Sequence, residues 1–149
     1  MLYFEINGRG HRRTCKDVLR WFIGEYLPRH HLDITVAHRG MKREGNFGLC
    51  TSWSDYRPRE FLIEIHSGLD KSTYVATLLH ELWHVYQHVK GDLQDKRSHR
   101  LWKGIDHSNT DYDDQPWEVE AHRMEKVLYE QMTGKRLPAP ALPWFNHDY

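Results

Sequence analysis

The sequence predicts an α+β fold, and three observations predict it. Hydrophobic periodicity changes along the chain, from a helical spacing to strict alternation and back to a helical spacing. Chain breakers (Pro28, Gly40 to Gly45, Pro58, Gly91, Gly134) fall where the period changes. Neither an internal repeat nor a shift in composition divides the 149 residues, a length that suits one domain. The expected architecture is an N-terminal helix, a three-stranded, mainly antiparallel sheet, a long central helix and a C-terminal helix. All of 1–149 is one domain, with 136–149 as a proline-rich arm.

Residues 2–6 alternate weakly, and Asn7-Gly-Arg-Gly interrupts them as a short strand. Thr14 reads as the N-cap of a helix to about Leu27, with Val18, Leu19, Phe22, Ile23 and Tyr26 on its apolar face. Pro28 and the adjacent His30-His31 pair end it. Leu32 to His38, Asn46 to Trp53 and Glu60 to His66 read as strands, and Phe47, Leu49 and Thr51 share a face of the second. Short connections between them favour hairpins. Asp70 or Ser72 caps a helix running from about Lys71 to Val89 and stopping at Gly91. Residues 92–115 are polar and irregular, with room for a short helix over 96–103. Pro116 opens a last helix, Trp117 to Met132, which Gly134 closes.

Composition excludes several classes. Lys plus Arg equals Asp plus Glu at 21 each, so no net charge draws the chain to nucleic acid or to a membrane. No apolar run approaches the ~20 residues that span a bilayer. The start lacks a basic segment followed by an apolar one, so no secretory signal is expected, and Cys15 and Cys50 are too far apart for metal-type spacing. Free thiols and a cytoplasmic location follow as expectations.

The central helix carries the chemistry. His80-Glu81-Leu82-Trp83-His84 is an H-E-x-x-H pattern, which sets two imidazoles one turn apart on one face, where both can ligate a single metal ion. In a chain with 12 His the pattern alone is weak. Its setting strengthens it. Val75, Leu78, Leu82, Val85 and Val89 form one stripe, and the two histidines lie opposite, beside Thr73, Thr77 and Gln87. A helix apolar behind and nearly uncharged in front is buried on both sides, and buried imidazoles need partners. Two His with a carboxylate suit Zn²⁺. Either Glu118 or Glu120 offers that carboxylate, since they flank the apolar face of Trp117, Ala121, Met124 and Leu128 symmetrically.

His80-Glu81-Leu82-Trp83-His84 followed by Glu118-Val119-Glu120-Ala121-His122 resembles the Glu-zincin metallopeptidases, among them small phage and bacterial SprT-like and ImmA/IrrE-type proteins. The resemblance covers about 60–130 and implies a minimal zincin-like domain. It makes Glu118 the third ligand, and it places at His122 the residue that orients a ligand histidine, where the group has Asp or Asn. It also implies that a strand beside the metal helix, here Glu60 to His66, pairs with an extended peptide.

The expected function is zinc-dependent peptide hydrolysis, with His80, His84 and Glu118 holding the metal and Glu81 as general base. Tyr112 is the candidate oxyanion stabiliser and His107 a weaker one. The partner is then a peptide or protein substrate. Two other readings compete. Arg9, Arg12, Arg13 and Lys16, and Lys96, Arg97, Arg100 and Lys103 around Trp102, are basic clusters suited to nucleic acid. A non-catalytic zinc-binding interaction domain would hold the metal without using Glu81.

Overall fold

In the computed structural model, which describes residues 1–53 and 58–139, the weak alternation at the start is a true strand, β1 (Leu2–Asn7). Helix α1 (Arg12–Tyr26) follows, then β2 (Leu32–Arg39), a 3₁₀ turn (Lys42–Glu44), β3 (Gly48–Ser52) and β4 (Glu60–His66). The long helix α2 (Lys71–Lys90) comes next. It is followed by the short strands β5 (Leu93–Lys96), β6 (His99–Trp102) and β7 (Ile105–Asp106), a second 3₁₀ turn (Tyr112–Asp114) and α3 (Pro116–Thr133).

The main sheet has four strands in the order β1-β2-β4-β3. Two of its three pairings, β1 with β2 and β2 with β4, are parallel, and only β3 runs antiparallel, against β4. This corrects the expected three-stranded, mainly antiparallel sheet. β1, α1 and β2 form a crossover unit, and β3 is a hairpin partner laid outside β4. The alternation that suggested antiparallel pairing has a different cause. Leu32, Ile34 and Val36, and Phe61, Ile63 and Ile65, are buried, whereas Asp33 and Glu60 on the other face are exposed. Parallel strands covered on one face alternate just as antiparallel ones do. The buried face joins Val18, Leu19 and Phe22 of α1 and Leu78, Leu82 and Val85 of α2 in one core. β4 is thus an inner strand, paired on both sides, and β1 and β3 are the edges of the sheet, so Glu60–His66 does not offer the free edge that the resemblance implied.

Helix α1 starts at Arg12 rather than after Thr14. Its N-cap is His11, which makes no side-chain cap bond. On β3 the register is opposite to the expectation: Leu49 and Thr51 are exposed, while Gly48, Cys50 and Ser52 are partly buried. Helix α2 is capped at both ends as its sequence requires. Asp70 accepts from the Thr73 backbone N–H at 3.2 Å, and Gly91 takes φ of 86°. Helix α3 begins on Pro116 and ends on Gly134 at φ 73°.

The segment expected to carry a short helix over 96–103 is instead a small antiparallel sheet, β5-β6-β7. Lys96, Arg97, Ser98 and His99 at its tip are exposed, whereas Asp95 and Arg100 are half-buried. Leu93 and Trp102 pack on Trp117, and this small cluster pins the hairpin to the start of α3. The turn at 54–57 and the arm beyond 139 lie outside the described residues, although Leu137 packs against the core. Among the described residues no helix is long and apolar enough to cross a membrane. Cys15 and Cys50 are both free thiols.

Candidate metal centre

Helices α2 and α3 bring the predicted ligands together. Every residue of α2 from Thr73 to Val85 is buried, so His80 and His84 leave the helix into protein, towards α3. Nε2 of His80 and Nε2 of His84 converge on one oxygen of Glu118, Oε1, at 2.9 and 3.2 Å. The two rings are 4.9 Å apart between centroids and nearly perpendicular. His80, His84 and Glu118 therefore form a group that could hold a metal ion.

What lies behind the rings shows how well the group fits a cation. His80 donates from Nδ1 to Glu125 Oε1 at 2.8 Å, and His84 donates from Nδ1 to Gln87 Oε1 at 2.7 Å. With Nδ1 occupied as a donor, each ring turns Nε2 to the shared point, as metal-ligating histidines do. Gln87 is fixed in turn, its amide donating to the Trp117 carbonyl at 3.0 Å and to Glu120 Oε1 at 3.2 Å. Two buried imidazoles held from behind and a half-buried carboxylate are a donor set of the right kind and orientation.

The two glutamates that sequence left equivalent are separated by their partners. Glu118 meets the imidazoles. Glu120 lies on the other flank of α3, accepting from Trp83 Nε1 at 2.7 Å as well as from Gln87. Glu120 is thus part of the scaffold behind His84 rather than solvated.

Glu81 is buried, yet its carboxylate takes no hydrogen bond from any described residue. Gly48 makes room for it. A Cβ at Gly48 would lie 2.9 Å from Thr77 Cγ2 and 3.1 Å from Glu81 Oε2, so only glycine lets β3 pass this close to α2. Burial pushes the Glu81 carboxyl above its ordinary value, while His80 and His84 pull the other way. Burial also opposes charge on Glu118 and on His80. Their charged neighbours outweigh it: His84 and His80 lower Glu118 far below the usual carboxylate range, and Glu118 and Glu125 raise His80 well above the usual imidazole one.

Tyr112, on the turn before α3, reaches the same place. Its hydroxyl lies 3.2 Å from Glu118 Oε1 and 3.0 Å from His122 Nε2, so its single proton serves one of them at a time. His107 is not brought in. It stands against Trp117 and Thr110.

The residue that orients His80 is Glu125, not His122, which corrects the role that the resemblance gave to position 122. His122 donates from Nδ1 to the same Glu125 oxygen at 3.0 Å, so it braces the carboxylate instead of the ligand. His80, His122 and Glu125 also make a second potential cation group, but it draws on the His80 Nδ1 that Glu125 already holds. One signal in the sequence pointed to Glu125: it lies seven residues after Glu118 and so returns to the same helix face after two turns.

Gly45 to Cys50, the ligand residues, Glu81, His88, Leu93, Arg100 and Tyr112 line a cleft of about 310 Å³ over this centre. The basic clusters are arranged otherwise. Arg9, Arg12, Arg13 and Lys16 are exposed at the start of α1. Trp102, the aromatic of the second cluster, is buried, so its ring is not presented for base stacking. No family model, curated protein or solved structure matches the chain.

Proposed function

We propose that the chain is a zinc-dependent endopeptidase of the zincin type. The observation that carries the reading is the convergence of His80 Nε2, His84 Nε2 and Glu118 Oε1 beside a buried carboxylate, Glu81, that no described residue engages. His80, His84 and Glu118 would hold the ion through two nitrogens and one oxygen. When bound there, zinc supplies a Lewis acid that makes water acidic near pH ~7 and polarises a carbonyl.

The protein's own groups do the rest. Glu81 accepts a proton as water oxygen bonds to the scissile carbonyl carbon, and gives it to the amide nitrogen as the C–N bond breaks. Its raised pKa suits a group that must both take and return a proton. Tyr112 donates to the carbonyl oxygen as negative charge grows on it. An extended peptide finds β3, the sheet edge that lines the cleft, available for main-chain pairing.

Metal analysis and hydrolysis of a denatured-protein panel test the reading together. Wild type is expected to carry one zinc and to cut. Glu81→Gln keeps the zinc and loses cutting by a factor of roughly 10² or more, whereas Glu118→Gln loses zinc and cutting alike. Zinc bound with no hydrolysis by wild type would leave a metal-binding interaction domain instead.

A further inference from the structure

The cleft carries one feature that hydrolysis itself does not use. Among the described residues, Arg100 is the one Arg or Lys side chain lining it. It arrives on β6, outside both ligand helices. Its Nε and Nη2 grip the two oxygens of Asp95 at 2.7 and 2.9 Å, and its guanidinium carbon lies 5.4 Å over the Trp117 ring. These contacts fix the fork on two sides. Nη1 is left with no partner among the described residues.

The charges are placed unequally. Asp95 does not line the cleft, so the cleft meets the cation and not its counter-charge. Among the described residues, the acids lining it are Glu81 and Glu118. A divalent ion on the ligand group would offset those two, which leaves Arg100, paired with Asp95 on its far side, as the charged group that the cleft presents at Nη1. A planar guanidinium with one free edge is matched by a carboxylate. At about 310 Å³ the cleft lies at the small end of ligand pockets, with space for one side chain and its flanking backbone.

We propose that Arg100 is a specificity-determining residue, and that the cleft takes peptides presenting a carboxylate close to the scissile bond, bound at Nη1. The proposal rests on the peptidase reading. The carboxylate has two sources, an Asp or Glu side chain or the free end of the chain, and both offer the same two oxygens.

Binding separates this from catalysis. Acetyl-Ala-Glu-amide, acetyl-Ala-Gln-amide and acetyl-Ala-Gln with a free carboxylate are titrated by calorimetry into zinc-loaded Glu81→Gln protein, with and without Arg100→Gln. With Arg100 present, the glutamate peptide (side-chain source) or the free acid (chain-end source) is expected to bind roughly ten- to a hundredfold tighter than the neutral amide, the span of a charge-assisted hydrogen bond. Arg100→Gln brings that ratio close to one. Arg100→Met, which keeps an apolar stem over Trp117, repeats the test if the glutamine variant does not fold. Equal binding of all three peptides, no binding of any, or a ratio that survives both substitutions overturns the proposal. Failure of the peptidase reading looks different: wild type cuts no peptide, while the binding ratio is still read.

Discussion

Helices α2 and α3 and the hairpin that joins them both reach the cleft, and they hold their side chains there by opposite means. On α2 an unbroken run from Thr73 to Val85 is buried, and each ligand histidine is gripped at Nδ1 by a residue that is itself held. On the hairpin only Leu93 and Trp102 are buried, and Arg100 is steadied by one ion pair and one ring. A reacting centre tolerates little displacement, so its ligands sit where packing leaves a single rotamer. A group that only selects among substrates can be carried on a lighter frame.

Four substitutions can break or sharpen that contrast, and the largest effect is expected in the helix pair. His80→Ala should remove stoichiometric metal and cost ~3 kcal/mol or more in stability, because Glu118 and Glu125 lose a buried partner. Metal analysis with urea unfolding checks both halves, and a variant that keeps its metal would contradict the ligand assignment.

The second effect is smaller and compares two carboxylates that touch no metal. Glu125→Gln still accepts from His80 but without its charge, so zinc affinity should fall about 10- to 100-fold. Glu120→Gln keeps an acceptor for Trp83 and Gln87, one bond further from His84, and should change affinity by less than about tenfold. Competition titrations with a chelator rank the pair. The reverse order would mean that the scaffold behind His84 matters more than the one behind His80.

The smallest effect belongs to the hairpin. Lys103 and Gly104 make the two-residue β6–β7 turn with φ of 50° and 85°, a conformation that favours asparagine before glycine. Lys103→Asn should raise stability by ~0.5 kcal/mol or less and leave zinc affinity alone. Thermal unfolding reads the first, and any shift in the second would show the hairpin to be as tightly tied to the ligands as the helices are.

The same contrast explains what could be read from residues alone. On α2 the apolar stripe, the Asp70 cap and the Gly91 stop agree with one another, and the histidines repeat at the helical period, so the helix and the shared face of His80 and His84 were both legible. Choosing Glu118 over Glu120 needed the crossing of α2 and α3, which no wheel contains. Glu125 was hidden because only its place two turns beyond Glu118 marks it, and that spacing signals a shared helix face without naming a partner. β1 looked too weak for a strand, and the sheet looked antiparallel, because alternation reports how many faces are covered and not which way the neighbour runs. Arg100 was grouped with its exposed basic neighbours. Its inward turn depends on Asp95, which faces it across the β5–β6 ladder.

The exposed Arg97-Ser98 turn has a consequence for how such a protein can change. The stretch between Gly91 and Pro116 is tied down by Leu93 and Trp102 near its base, while its tip, Lys96 to His99, is exposed. Doubling the length of a connection costs only ~0.6 kcal/mol in closure entropy. The sequence distance from His84 to Glu118 is therefore elastic: tips of other lengths and charges can be grafted between the same two helices. On the peptidase proposal, the metal-holding pair of helices and the hairpin that would set substrate preference lie on separable pieces of the chain, and exchanging the hairpin should retune the second while the first stays in place.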